Sequence, residues 1–379
     1  MNKTIIWLIV AIVVIAGIWW GVSRKSTQLP TMKEVIKIGA ILPLTGGASI
    51  YGESAKEGID LAIEEINNKG GINGRKIEII YEDSKAEPKE GVSAINKLIS
   101  VDRVPVIIGA IASAVTLAIA PIAEENHVVL LSPGSSAPKI TEAGDYIFRN
   151  EVSEEFGARK SAELYYDAGF KKIAILYINN DYGVSVKEIT EKVYQEKGGK
   201  ITAAEAFVQN TTDFRTSLQK IKNSDPQALL IVAYGEYPMI IRQMKEAGME
   251  LPILTTPVFE SKELLKKLGE SAEGVIYSYY GTFNLESQKE EVKQFLDNFR
   301  KKYNKDPSYY AALGHDAVYL LRIAIEKGGY HSDGIKNALY TIKNYPGVTG
   351  ITSFDENGDV IKPIILKTIK NGKFVPYSE

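Results

Sequence analysis

At 379 residues, with 45% hydrophobic and 24% charged side chains, the chain has a globular composition and length enough for two domains. The net charge is −2; Lys3, Arg24 and Lys25 lie in the first 30 residues with no acid, leaving 42 basic against 47 acidic residues and no basic block, a poor surface for nucleic acid, whose phosphates need clustered Lys and Arg. With no cysteine, the chain has no thiol catalysis, thiolate-held zinc, disulfide or cysteine-linked lipid, and His127, His315 and His331 lie too far apart for metal-site spacing.

In chain order, "IIWLIVAIVVIAGIWWGV" (5–22) is 18 residues without a charge. As a helix it rises about 27 Å against a hydrocarbon core of roughly 30 Å. Trp19 and Trp20 near one end, then Arg24 and Lys25, are interface residues. The run exceeds a typical secretory apolar region, and "WWGVSRKS" offers no small-residue cleavage site. An uncleaved transmembrane anchor is expected, with a cleaved signal peptide as the alternative. "SRKSTQLPTMKE" reads as a polar tether, so that 1–32 form anchor and tether.

From residue 35 apolar strands alternate with amphipathic helices, the pattern of parallel sheets with crossover helices. "VIKIGAILPL" (35–44) predicts a strand. "YGESAKEGIDLAIEEINNKGG" predicts a helix, with Ala55, Ile59, Ala62, Ile63 and Ile66 at helical spacing and Gly70-Gly71 as its stop. "KIEIIYEDS", "VPVIIGA" and "HVVLLS" follow as strands, separated by helices over "PKEGVSAINKLISVD" and over "SAVTLAIAPIAEEN", the latter interrupted by Pro121. A second series begins near 150, with strands "KKIAILYIN", "KITAAEAFV", "PQALLIVAY" and "LPILTTP" and helices at about 154–168, 183–197, 213–223 and 237–248. "EEVKQFLDNFRKKYN" and "YYAALGHDAVYLLRIAIEKGG" are two later amphipathic helices. The chain closes in a hairpin, "ITSFDENGDVIKPIILKTIKNGKFV", with Asn357-Gly358 as its turn signal.

Catalytic signatures are missing: no dinucleotide or phosphate-loop glycine motif, no H-E-x-x-H and no G-x-S-x-G. "GGASIYG" (46–52) has the wrong spacing for a nucleophile loop. "FDENGD" (354–359) lacks the length and terminal Glu of a calcium loop and reads as a β-turn. Glu64-Glu65 and Glu290-Glu291 read as solvated helix faces. No enzyme, cofactor or metal site is expected.

What the sequence does carry is strand ends rich in small and hydroxyl residues. "VIIGAIASAVT" runs from a strand through Gly109 and Ala110 to Ser113 at a helix start. "VVLLSPGSSAP" does the same one unit later with Ser132, Ser135 and Ser136. In open α/β sheets ligands collect beyond the carboxyl ends of strands, and helix N-termini there suit an anion such as a carboxylate. Ser113 alone reads as a helix cap; two such loops from adjacent units tilt the reading towards a ligand.

At these residues the chain resembles the type I periplasmic binding proteins, in particular the leucine/isoleucine/valine-binding receptors of ABC importers. The likeness runs through "IGAILPLTGGASIYGESAKEGIDLAIEEINNKGGINGRKIEIIYEDS", "VIIGAIASAVTLAIAPIAEENHVVLLSPGSSAPKIT", "NDYG", "DFRTSLQKIKNSDPQALLIVAYG", "DPSYYAALGHDAVYLLRIAI" and "GVTGITSFDENGDV". It implies an α/β fold of two Rossmann-like lobes joined by three crossover segments near 150, 281 and 348. Lobe one would be 35–150 plus 282–347, and lobe two 151–281 plus 348–379.

The resemblance also implies a ligand grip. Ser113 and the loop Gly134, Ser135 and Ser136 would hold a carboxylate, with Tyr51 covering the ligand from lobe one and Tyr182 and Tyr234 from lobe two. Where the family's amino-acid binders place an acid, "ILTTPVFES" offers Thr256 and Pro257; Glu260 or Glu236 is expected to supply the countercharge for an ammonium group, failing which the ligand lacks one. The implied function is an extracytoplasmic receptor that closes on a branched-chain or other amino acid. It would be anchored through 5–22 and work with an ABC permease and ATPase. The alternative is an anchored sensory receptor for amino acids, amides or aromatic acids. An enzyme ranks third, and a membrane span where a DNA-binding domain would sit excludes a transcriptional regulator of this fold.

Overall fold

The computed structural model describes residues 2–23 and 35–378, and the side chains of residues 4 and 17–23 lie outside that description. The polar stretch 24–34, expected as a tether, falls outside it too. Helix α1 (Lys3–Ser23) belongs to a unit of its own, ending at Glu34. Its large apolar side chains from Ile5 to Ile15 are exposed. Among the described residues no helix is long and apolar enough to cross a membrane. The expected span over 5–22 is therefore not met by them: description of its side chains stops at residue 16, and 5–16 rise only about 18 Å as a helix.

The second unit, Val35–Glu379, is built on two sheets. The first contains β1 (Ile36–Leu42), β2 (Ile77–Asp83), β3 (Val106–Gly109), β4 (Val129–Ser132) and β5 (Ile147–Arg149) in the order β2-β1-β3-β4-β5, all parallel. β3 and β4 are four residues each and wholly buried, as expected of central strands with helices on both faces. Their crossovers are α2 (Ser49–Asn68), α3 (Pro88–Ser100) and α4 (Ser113–Glu125). The predicted apolar positions of α2, Ala55, Ile59, Ala62, Ile63 and Ile66, are buried. α4 runs unbroken through Pro121, which is exposed, so the one hydrogen bond that proline removes falls on the solvent side.

After β5 the chain enters the second sheet's half: α5 (Glu154–Asp167), β6 (Lys172–Ile178), α6 (Asp181–Lys197), β7 (Lys200–Phe207), α7 (Arg215–Asn223), β8 (Ala228–Val232), α8 (Tyr237–Glu246), β9 (Ile253–Thr255), α9 (Lys262–Leu268) and β10 (Ile276–Tyr280). β6 to β10 are parallel. Then α10 (Glu290–Tyr303), α11 (Tyr309–Gly328) and α12 (Ser332–Tyr340) return to the first half. α11 lies against α2 at backbone contact distance: a Cβ on Gly58 would sit 1.8 Å from Ala311 O, and one on Gly314 2.4 Å from Ala55 O. Glu65 joins the same faces. Its carboxylate accepts from Asn298 Nδ2 at 2.6 Å and Tyr319 Oη at 2.8 Å, with His315 Nε2 at 3.1 Å. It is 12% exposed, so the solvated face expected for Glu64-Glu65 holds for Glu64 only.

A short ribbon, β11 (Tyr345–Gly347) and β12 (Gly350–Thr352), precedes the antiparallel pair β13 (Ile364–Lys370) and β14 (Lys373–Pro376), which extends the second sheet to β14-β13-β10-β9-β8-β6-β7. The hairpin turn is Asn371-Gly372, with φ 54° and 66°, and not Asn357-Gly358. The earlier acidic segment is a tight loop of its own: Asp355 Oδ1 accepts from the amides of Asn357 (2.8 Å) and Asp359 (2.9 Å). Both Asn-Gly pairs suit a turn, but only the second is flanked by alternating strand residues. The three connections between the halves run side by side, linked by a parallel bridge between Val152 and Val360 and by Thr282 N–H donating to Thr349 O at 3.0 Å.

Candidate functional site

The carboxyl ends of both sheets face a common cavity of about 470 Å³ of atom-free space, solvent at its mouth included, within the size range of small-molecule sites. From the first half come Ala48 and Tyr51 at the start of α2, Ile111, Ala112 and Ser113 before and in α4, Gly134 and Ser136 after β4, and Tyr310 in α11. Tyr182 of α6, Tyr234 after β8, Pro257 and Val258 after β9, and Tyr280 of β10 come from the second. Glu151 and Glu154 stand at the first connection.

The loop "SPGSSAP" divides its hydroxyls between building and facing the cavity. Ser132 Oγ donates to Ala110 O at 2.6 Å and accepts from Ser135 N–H at 2.9 Å. Ser135 Oγ lies 2.7 Å from Thr116 Oγ1 and within 3.1 Å of the carbonyls of Ala110 and Ile111. Only Ser136 among the three lines the cavity. Ser113 is not a cap; the cap position is Ala112, and Ser113 is the first helical residue. Its Oγ accepts from Ser136 N–H and Ala137 N–H, both at 3.1 Å, which leaves its own proton free to donate. The start of α4 thus brings the amide end of the helix and a hydroxyl donor to the cavity wall.

Tyrosines from both halves form the cover. Tyr51 packs 5.1 Å from Tyr310 and 6.3 Å from Tyr234, which stacks on Tyr182 at 5.6 Å. Tyr51 Oη donates to Tyr234 O at 2.9 Å, closing the halves on each other.

Four of the expected site residues lie outside the wall. Ser135 is spent on the loop. Thr256 supports the cover from behind, accepting from Tyr182 Oη at 2.6 Å. Glu236 braces the Tyr234 loop, accepting from Tyr234 N–H and Asn210 N–H, both at 3.0 Å. Glu260 pairs with Lys367 at 2.6 Å and accepts from Tyr277 Oη, beside β10 and β13. The countercharge expected from Glu236 or Glu260 is therefore not at the cavity, because both acids already hold buried donors elsewhere.

The acids that are there, Glu151 and Glu154, the sequence reading missed. Glu151 Oε1 accepts from Val152 N–H at 2.7 Å and from Tyr309 Oη at 3.1 Å. Glu154 Oε2 accepts from Tyr280 Oη at 3.0 Å. Burial pushes both carboxyls up to about 7, against the pull of Lys362 on Glu151 and of the Ser136 and Tyr280 hydroxyls on Glu154. In "NEVSEEF" Glu154 passes for a first-turn acid behind the α5 cap, Ser153, which accepts from Glu155 N–H, and Glu151 lies two residues before that cap. The available signal was their place directly after an apolar strand, where the chain leaves one half for the other.

Two halves on largely parallel sheets, with three side-by-side connections and a cavity at the strand ends, define the type I periplasmic-binding fold. The chain belongs to the periplasmic binding protein family, which residues 35–373 match. It is 29% identical over 334 residues to the leucine-, isoleucine-, valine-, threonine- and alanine-binding protein of Pseudomonas aeruginosa, covering 86% of this chain and 87% of that one. Among solved structures it is similar to a leucine-binding protein of Thermotoga maritima, with 32% identity, a TM-score of 0.85, and 91% of this chain and 98% of that one covered. It is also similar to the branched-chain amino acid transporter substrate-binding protein of Streptococcus pneumoniae in complex with isoleucine, with 31% identity, a TM-score of 0.82 and coverage of 90% and 98%.

Proposed function

We propose that this chain is the extracytoplasmic solute-binding receptor of an ABC importer, taking a small carboxylate-bearing ligand, a branched-chain or other amino acid, between its lobes. The observation that carries this reading is the meeting of Ser113, Ser136 and the α4 start with tyrosines of both halves around one cavity. The ligands for which the Pseudomonas aeruginosa relative is named, leucine, isoleucine, valine, threonine and alanine, support it. Ser113 and Ser136 with the neighbouring amides hold the carboxylate, and Gly134 keeps the loop close. Each charge-assisted bond contributes roughly 1.5–3 kcal/mol, so three or four with aromatic packing supply the ~8 kcal/mol of micromolar binding after ordering costs.

Lobe one (35–150 plus 282–347) receives the ligand; lobe two (151–281 plus 348–379) closes by bending at the three connections. Tyr182 and Tyr234 then touch it only in the closed state, and that difference drives closure, because a ligand with equal affinity for both states shifts nothing. A permease and its ATPase read the closed form. No step is catalytic: Ser113 Oγ is bonded to two backbone amides and not to a base. The exposed apolar side chains of α1 from Ile5 to Ile15 support attachment to lipid or protein, since such a surface needs one of them around it.

Titration calorimetry of the full-length chain in detergent with the twenty L-amino acids tests the reading. At least one aliphatic amino acid is expected to bind in the micromolar range, and Ser113→Ala to weaken it tenfold or more. Equal binding by Ser113→Ala and wild type would remove the carboxylate grip.

A further inference from the structure

We infer that the positively charged group of the ligand is received by Glu154, backed by Glu151, at the first connection between the halves, and that a proton leaves this pair as the ligand binds. The inference rests on the cavity being the ligand site, as proposed above. Glu151 and Glu154 are the only charged side chains among the cavity's lining residues. Glu154 is 2% exposed, and the hydroxyl that donates to it, from Tyr280, is neutral. An ionised carboxylate held that deeply by neutral donors is unfavourable unless a cation joins it or a proton neutralises it.

The surrounding charges sharpen the point. Arg149, 0% exposed, is taken by Asp359 in a bidentate pair at 2.6 and 2.7 Å. Lys362, 1% exposed, donates to Thr349 Oγ1 at 2.6 Å, and Thr349 in turn donates to Asp316. Two buried cations thus face four buried acids: Asp359, Asp316, Glu151 and Glu154. Glu151 feels Lys362 from the third connection, Arg149 from β5 and Tyr309 from α11. Glu154 meets Ser136 from the loop after β4 and Tyr280 from β10, and feels Glu151 and Arg149. The same burial that raises both carboxyls towards neutrality keeps the excess acid protonated in the empty cavity. When a ligand ammonium arrives, the carboxyl O–H bond breaks, its proton passes to solvent, and the carboxylate pairs with the ammonium. Ser136 O accepts from Glu154 N–H at 2.7 Å and Ser136 N–H donates to Ser113 Oγ, so cation and anion sites are neighbours, as the two charged groups of an α-amino acid are.

The test is calorimetry on the full-length chain with the twenty L-amino acids and their amine-free counterparts, 4-methylpentanoate standing for leucine, at about pH 5 to 8 in buffers of different ionisation heat. An amine-bearing ligand should bind about 100-fold or more tightly than its amine-free counterpart. Its affinity should rise up to roughly tenfold per pH unit below about pH 7 and level above it, with a heat that depends on the buffer near pH 6. Glu154→Gln should weaken binding about 100-fold at pH 8 and flatten the profile, and Glu151→Gln should do so less steeply. Circular dichroism checks that both variants fold, and proton release by the wild type gives an independent readout. Amine-free acids bound as tightly, or Glu154→Gln within threefold of wild type with the same pH slope, would overturn the inference and leave the receptor reading intact. Binding of nothing in either set would overturn both.

Discussion

Ser113 does two things with one oxygen: it accepts the amides of Ser136 and Ala137 and keeps a proton for the cavity. Ser113→Ala should therefore lower stability by about 1–3 kcal/mol through those two orphaned amides, besides weakening binding, which thermal melts without ligand would show. Glu154 gives the opposite sign. A folded-state value of about 7 for a carboxyl whose ordinary value is 4.5 means that the folded chain holds the extra proton between those limits, so stability falls as pH rises through that window. Glu154→Gln removes the effect: the empty variant should melt higher than wild type at pH 8, by an amount on the order of 1–3 kcal/mol, and equally near pH 4. At this scale the sequence was half legible. Small hydroxyl residues after apolar strands pointed to Ser113 and Ser136, but nothing local separates Ser136, which faces the cavity, from Ser135, which is consumed by Thr116 and two carbonyls. Glu154 stayed hidden because a Ser-Glu-Glu helix start accounts for itself by capping.

Among elements, the α2–α11 contact was foreshadowed only as a pair of apolar faces. Periodicity gave α2's buried stripe, yet the backbone approach at Gly58 and Gly314 depends on a partner more than 250 residues away, which no local pattern encodes. Glu65 shows the same limit, since its partners lie on α10 and α11. Burial alone would raise its carboxyl, but the bonds from His315, Asn298 and Tyr319 outweigh that and hold it at about 2. Because the folded value lies below the ordinary 4.5, its stabilisation is present above that pH and is lost as pH falls towards 2. Glu65→Gln should cost about 1–3 kcal/mol at pH 7 and much less near pH 2, measurable by urea denaturation at both. The terminal hairpin was foreseen with the wrong Asn-Gly pair, for Asp355 gives the first pair a closed loop of its own.

On the scale of the whole molecule, two successive strand–helix series were readable from residue 35 onward, and with them the parallel sheets. Periodicity did not show that the late helices return to the first half; only the family resemblance implied that. The halves meet across the cavity mouth at Tyr51 and Tyr234, at the Lys139–Asp181 pair of 3.4 Å, and where Lys262 meets Asp306. Exposed pairs of this kind contribute little, so the tight spot is Gly235, whose Cβ would lie 2.3 Å from Gly47 O. Gly235→Val should hold the lobes apart, weakening ligand binding about tenfold or more with little change in melting temperature, while small-angle scattering shows a less compact liganded form. The most direct measurement is a crystal structure of the chain grown with the amino acid that binds it. The account predicts the ligand carboxylate within hydrogen-bonding distance of Ser113 Oγ and the Ser136 hydroxyl, its amine on Glu154, and Tyr51, Tyr182 and Tyr234 closed over it. A ligand seated outside this cavity, or reversed so that its carboxylate faces Glu154, would contradict it.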